Sequence, residues 1–291
     1  MELVERKAGR QAPVMPRVVF MLLGLVLFAG AHAGEPEHFM RLVEGEDGRP
    51  DALQVAVAAY RDGQGRRVDL VGAVHVADRA YFHALQDRFD DYESVLYELV
   101  GDPEGSERPA GVGLNLVGLL QGGMKDALGL AFQLEEIDYG RPNFVHADMT
   151  ATEFSEAMKQ REETWLGTFM ELYAASAVAQ SSASQSPEAA LLEVLFASDR
   201  REAFKRMMAR SLVDQQQVLE VLGGEEGSTL ITERNRKALS VLERELDGGA
   251  RHLALFYGAG HLPDFHRRLV GELGFELESV EWLDAWVLDG G

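Results

Sequence analysis

Val68-Asp69-Leu70-Val71-Gly72-Ala73-Val74-His75 is an apolar, strand-length run that closes in G-x-x-H and leads into a helical pattern. Leu253-Ala254-Leu255-Phe256-Tyr257-Gly258-Ala259-Gly260-His261 repeats that form near the far end of the chain. In an open α/β sheet, ligands bind beyond the carboxyl ends of the strands. A histidine that closes such a strand therefore points into that crevice. The glycine three residues earlier omits a side chain, so the backbone there can pack closely or turn.

Working outward, Leu53 to Tyr60 is short and β-compatible, and Asp62-Gly63-Gln64-Gly65 is a turn signal before Val68, so the two runs read as a β-hairpin. Asp78 is placed to cap a helix through Tyr81, Leu85 and Phe89, and Ser94 to Val100 reads as the next buried strand. The order β-β-α-β indicates an α/β sheet. Residues 101–131 are Gly-rich without a dinucleotide or phosphate-loop spacing, and read as irregular structure plus an amphipathic helix around Leu116 to Phe132. A lid is an alternative role for this segment. Thr150-x-x-Glu153 is a capping box opening a helix with Phe154, Met158, Trp165 and Phe169 on one side. Ala175 to Pro187 reads as a weak helix end and a loop, with helices again from Glu188 to Leu222, broken by Gly223-Gly224. Ser228 caps a further helix closed by Gly248-Gly249. After the 251–260 strand come a helix from Pro263 to Leu273 and two terminal strands, Phe275–Trp282 and Ala285–Leu288. The expected fold is α/β: a mixed β-sheet core built from both ends of the chain, with a helical insertion over about residues 101–225.

Residues 1–33 read as a signal peptide and 34–291 as the domain. Arg17 precedes an apolar run from Val18 to Ala31, too short for a spanning helix, and Ala31-His32-Ala33 has the form of a cleavage site. Met15-Pro16-Arg17 would supply the basic start of such a signal. The expected location is periplasmic or secreted, with no stable membrane span after cleavage. The balance of 48 acidic to 28 basic side chains repels phosphate backbones and argues against nucleic-acid binding. With no cysteine, disulfides and thiolate metal sites are excluded.

Glu98 lies within the apolar run Val95-Leu96-Tyr97-Glu98-Leu99-Val100. A carboxylate there is costly unless paired, hydrogen-bonded or coordinated. His75, Glu98 and His261 together form a known type of metal-ligand set, suited to Mn, Co or Zn. Without a metal, the same three suit acid–base work, with burial expected to raise Glu98 towards neutrality. Arg234 can orient Glu98 or bind a substrate carboxylate or oxyanion, or be a surface charge, and Asn235 is similar. His146 and Asp148 either line the pocket or help cap the Thr150 helix. His83 and His266 are expected to be exposed on helices, and His252 has no partner by spacing.

Gly72-Ala73-Val74-His75, Tyr97-Glu98-Leu99 and Tyr257-Gly258-Ala259-Gly260-His261-Leu262 resemble the TraB/PrgY/GumN family, which includes the TIKI proteins. Two G-x-x-H motifs with a glutamate between them mark that family, and Glu233-Arg234-Asn235 is similar to its E-R-N element. The resemblance spans roughly residues 50–290 and is weakest over 100–225. It implies the fold of the erythromycin esterase/ChaN group, a mixed α/β core with helical insertions. TIKI members are metal-dependent proteases with Mn or Co implicated, PrgY-type members block peptide pheromones and ChaN-like relatives bind haem, so the resemblance does not fix one reaction. Pro263-Asp264 departs from the glycine that many members carry near that helix start.

The first expectation is an exported metal-dependent hydrolase, acting on a peptide or small-molecule substrate, with a divalent metal at His75, Glu98 and His261 and with Arg234 and Asn235 also in the active site. The second is a non-catalytic binder of a secreted peptide or haem-like ligand. The third is a metal-free esterase-like hydrolase that uses His and Glu directly.

Overall fold

Runs such as Leu53–Tyr60 and Leu253–Tyr257 are apolar on both sides, which suits strands covered on both faces. A computed structural model of the chain describes residues 38–101, 128–164, 167–168, 187–222 and 227–288. The signal-peptide reading, most of the Gly-rich segment, Trp165, Phe169 and Gly223-Gly224 lie outside the described residues, as does nearly all of the loop before Pro187.

The hairpin is present: β2 (Pro50–Arg61) pairs antiparallel with β3 (Arg67–Ala73). Its turn is held by Asp62, whose Oδ1 accepts from the backbone N–H groups of Gln64 and Arg66, and by Gly65 at φ 75°. β1 (Met40–Glu44) pairs with the first half of β2, and β3 with its second half. β9 (Glu276–Val287) runs along nearly all of β2, so β1 and β3 share the opposite edge. Beyond β3 the sheet becomes parallel: β8 (His252–Gly258), then β5 (Ser94–Tyr97), then β7 (Phe144–His146). The architecture is α/β, with a mixed sheet drawn from both ends of the chain.

Alternate residues feed two cores. Val55, Val57, Val71, Val95 and Phe256 face one cluster, which α1 (Arg79–Arg88) joins through Tyr81, Phe82 and Leu85. Ala56, Ala58, Leu70, Leu96 and Leu255 face the other, closed by α6 (Arg234–Asp247) and α7 (Leu262–Gly271). The period of two along each strand sends neighbouring side chains to opposite layers.

Several expectations need correction. The segment over 101–225 is not helical throughout: Ala131–Phe132 form a short strand, β6, against β4 (Val76–Ala77), and β7 enters the main sheet. α2 (Gln133–Glu136) follows β6 directly. The capping box at Thr150 is as expected, but its helix α3 (Ala151–Gln160) ends before Trp165. α4 (Pro187–Phe196) and α5 (Arg200–Leu222) supply the helices expected there. The two terminal strands are one strand, because Ala285 is accommodated as a bulge between Trp286, opposite Leu53, and Asp284, opposite Gln54. Asp78 stands at the start of α1 without capping it; its carboxylate instead binds Lys205 Nζ at 3.2 Å and Val287 N at 2.6 Å.

Candidate active site

β3 and β8 lie side by side, parallel, with Ala73 opposite Gly258. The chain therefore leaves both strands at the same end of the sheet, towards His75 and His261. β5 and β7 run in the same direction and end at Tyr97 and His146. Glu98 is thus the first residue beyond β5, not a member of the strand. The two G-x-x-H glycines serve different close approaches. A Cβ on Gly72 would lie 2.5 Å from Val55 Cγ1 and 3.1 Å from the carbonyl of Ala56. A Cβ on Gly258 would lie 3.2 Å from Glu98 Oε2. Both use the absent side chain rather than an unusual φ.

Arg234 and Asn235 open α6 and are both buried. A π turn, Thr229–Glu233, leads into that helix, with Ser228 Oγ accepting from Ile231 N. Such wide turns recur at functional sites. Arg234 holds Asp148 in a fork, Nε to Oδ1 at 3.0 Å and Nη2 to Oδ2 at 2.6 Å. Nη2 also donates to Glu98 Oε1 at 2.5 Å, and Nη1 reaches His261 Nε2 at 3.3 Å. Arg234 is therefore no surface charge. It orients Glu98, and its nitrogens are all engaged with protein groups, including the carbonyl of Leu230.

His261 sits in the 3₁₀ turn Ala259–His261 and is 5% exposed. Asn235 fixes its tautomer. The Asn235 amide nitrogen donates to the His261 carbonyl at 3.0 Å and to Asp264 Oδ2 at 2.9 Å, so its oxygen faces His261 Nδ1 at 2.6 Å and accepts a proton from it. Nε2 is left as the lone pair, 3.5 Å from Glu98 Oε1. Burial lowers the imidazole pKa to about 4. Glu98 offsets part of that and Arg234 adds to it, so His261 is neutral at pH 7.

Glu98 departs from expectation. Burial alone would raise its pKa, but Arg234, then His261 and His75, together with the Gly258 N–H donating to Oε2 at 2.7 Å, hold the carboxyl well below the usual range. It is a fixed anion, not a group poised near neutrality.

His75 is the exposed member of the set. Its Nδ1 faces Gln133 Oε1 at 3.1 Å, and its carbonyl accepts from Gln133 N at 2.9 Å. The turn that carries it is pinned by Tyr81 Oη donating to the Gly72 carbonyl and by Trp286 Nε1 donating to the Val76 carbonyl, each at 2.7 Å.

Asp148 was expected to line a pocket or cap a helix. It does no capping: it is buried beneath Arg234 and accepts both arms of its fork. His146 supports the backbone, its Nε2 lying 2.6 Å from the Leu99 carbonyl. His83 is exposed as expected. His266 is instead half-buried, its Nδ1 2.8 Å from Tyr60 Oη, and His252 has a partner, the Asp91 carbonyl at 3.1 Å. Gln133 had no sequence signal beyond being a polar residue beside an apolar one.

The donor types at His75, Glu98 and His261 suit a divalent metal, but their arrangement does not. Arg234 already stands against both Glu98 Oε1 and His261 Nε2, and a cation between those atoms would have to displace the guanidinium. Among the described residues, no group of three or more His, Asp or Glu side chains is disposed to hold a metal ion. Nor is any helix among them long and apolar enough to cross a membrane.

Comparison with models of protein families, with curated proteins and with solved structures finds no match to this chain. The resemblance to the TraB/PrgY/GumN family stands on the quoted motifs alone.

Proposed function

We propose that the chain is an exported hydrolase that cleaves a peptide or a small ester at the carboxyl ends of β3, β5 and β8. The observation that carries this reading is the arrangement of the two histidines. Each places Nδ1 against a side-chain amide oxygen, an arrangement suited to an Nδ1–H tautomer, and His261 Nε2 lies 3.5 Å from an ionised Glu98. A neutral imidazole is the side chain best suited to accept a proton from water near pH 7.

His75 is the exposed one, and so the one that water and substrate reach. In the proposed step, His75 Nε2 takes a proton from water as the water oxygen bonds to the substrate carbonyl carbon. The C–N or C–O bond then breaks, and the same proton passes to the departing nitrogen or oxygen. Glu98, held as an anion, is the carboxylate proposed to balance the positive charge that forms between these events. His261, Asn235 and Arg234 act through Glu98: they hold its charge and orientation. Export is proposed from the apolar run before Ala31-His32-Ala33.

A metal-assisted variant has one observation in its favour. Nδ1 of each histidine faces an amide oxygen, which leaves Nε2 as the ligating nitrogen, and the carboxylate is ionised, as metal ligation requires. It requires Arg234 to leave its present position.

The test is hydrolysis of chromogenic esters and a mixed peptide pool by the purified chain, with and without His75→Ala. A loss of about a hundredfold or more in kcat/KM is expected. Unchanged hydrolysis in the variant removes the proposed site, and stoichiometric peptide binding without product favours a binder. Activity lost to a chelator and restored by Mn, Co or Zn favours the metal-assisted variant.

A further inference from the structure

The two G-x-x-H histidines are held by the same device from opposite parts of the chain. At His261, Asn235 takes the proton of Nδ1 on its amide oxygen and ties the residue's own carbonyl with its amide nitrogen. At His75, the amide oxygen of Gln133 faces Nδ1 at 3.1 Å, and its backbone N–H ties the residue's own carbonyl at 2.9 Å. Each carboxamide is itself anchored, Asn235 on Asp264 Oδ2 and Gln133 by donating to Tyr139 Oη at 2.8 Å. Gln133 is 6% exposed, so its amide has few alternatives to these partners. Its place is set by β6, which ends at Phe132 opposite Val76, the residue after His75.

We infer that Gln133, held by Tyr139, is a positioning residue for His75: it fixes the Nδ1–H tautomer and aims Nε2 outward. A carboxamide does this without adding negative charge, so it sets the tautomer and does not favour the imidazolium. That distinguishes it from an aspartate in the same place. The consequence for catalysis rests on the proposed hydrolase reading; the tautomer does not.

The test uses the full chain labelled with ¹⁵N at histidine and freed of metal with a chelator. His75 is assigned from the signals missing in His75→Ala. Long-range ¹H–¹⁵N spectra at neutral pH report which ring nitrogen carries the proton. His75 is expected as the Nδ1–H tautomer in the wild type, as a mixture in Gln133→Ala, and restored in Gln133→Glu, whose carboxylate can accept from the same nitrogen. The His261 pattern, unchanged in all three, serves as the check on folding. On a hydrolysed substrate, Gln133→Ala is expected to lower kcat by about ten- to a hundredfold with little change in KM, and Gln133→Glu to recover part of it. A wild-type His75 protonated on Nε2, or a tautomer unmoved in Gln133→Ala, overturns the inference. The expected tautomers in a protein that hydrolyses nothing uphold the positioning role and defeat the hydrolase reading instead.

Discussion

Arg234 Nη2 stands 2.5 Å from Glu98 Oε1, with both side chains largely closed to solvent. The same nitrogen lies 2.6 Å from Asp148 Oδ2, so one guanidinium balances two buried carboxylates. Taking it away leaves both anions unpaired. Arg234→Met is therefore expected to lose about 3–5 kcal/mol of stability. Arg234→Lys should recover part of this, because it restores the charge but not the fork on Asp148. Urea unfolding midpoints of the three proteins check it, and a methionine variant as stable as the wild type would refute the pairing.

His261 sets a pH dependence with a definite sign. Its pKa falls from 6.5 in the unfolded chain to about 4 in the folded one. The stability it contributes is fully present above pH 6.5 and drains away as the pH falls towards 4, by about 3 kcal/mol in all. Glu98, depressed below its ordinary 4.5, adds a further loss only below that value. Denaturant midpoints of the chelated protein at pH 7, 5.5 and 4.5 should decline accordingly. His261→Gln should flatten the upper part of that decline; an unchanged slope would assign it to another group.

The two motif glycines should respond differently to alanine. At Gly72 the new methyl meets Val55 Cγ1 at 2.5 Å and the backbone of Ala56, deep between β2 and the core. A cost of about 1–3 kcal/mol is expected there. At Gly258 the methyl presses on Glu98 Oε2 at 3.2 Å. Gly258→Ala should lose activity out of proportion to stability, because it moves the carboxylate rather than the core. Thermal melts beside activity assays separate the two, and equal ratios of lost activity to lost stability would contradict the distinction.

Much of this was legible in the sequence, for reasons that follow particular residues. The hairpin, the strands β3 and β8, and the residues His75, Glu98 and His261 are marked by strand-length apolar runs that carry one polar residue within or just after them, while the parallel pairing of β3 with β8 is not. The rest failed where periodicity fails. β6 and α2 are only two and four residues long, too short to show a period, and Gln133 meets His75 across 58 positions. Asp148 lies two residues before a genuine capping threonine, which offered a simpler local use for it. β9 looked like two strands because the bulge at Ala285 breaks the alternation. Glu98 was expected to drift towards neutrality because its burial was visible in the pattern and the guanidinium 136 positions away was not.

Trp286 offers a probe of how the His75 turn is supported. Its indole N–H donates to the Val76 carbonyl from a fully buried position. Trp286→Phe keeps most of the packing and removes that donor. A cost of about 1–3 kcal/mol is expected from the unsatisfied carbonyl. A fall in kcat should accompany it as His75 loosens against Gln133. Hydrogen exchange at Ala77 and Asp78, faster in the variant, would trace the effect to this turn, and unchanged exchange would rule it out.

That same bond carries a lesson about timing. His75 is made early, yet Trp286, which steadies the residue beside it, and Val287, which occupies Asp78, are made some two hundred residues later. A chain still emerging from the ribosome has its histidine but not that prop. The His75 turn is complete only after β9 has zipped along β2, so on the proposed reading the order in which the chain is built withholds the finished site until its last strand is in place.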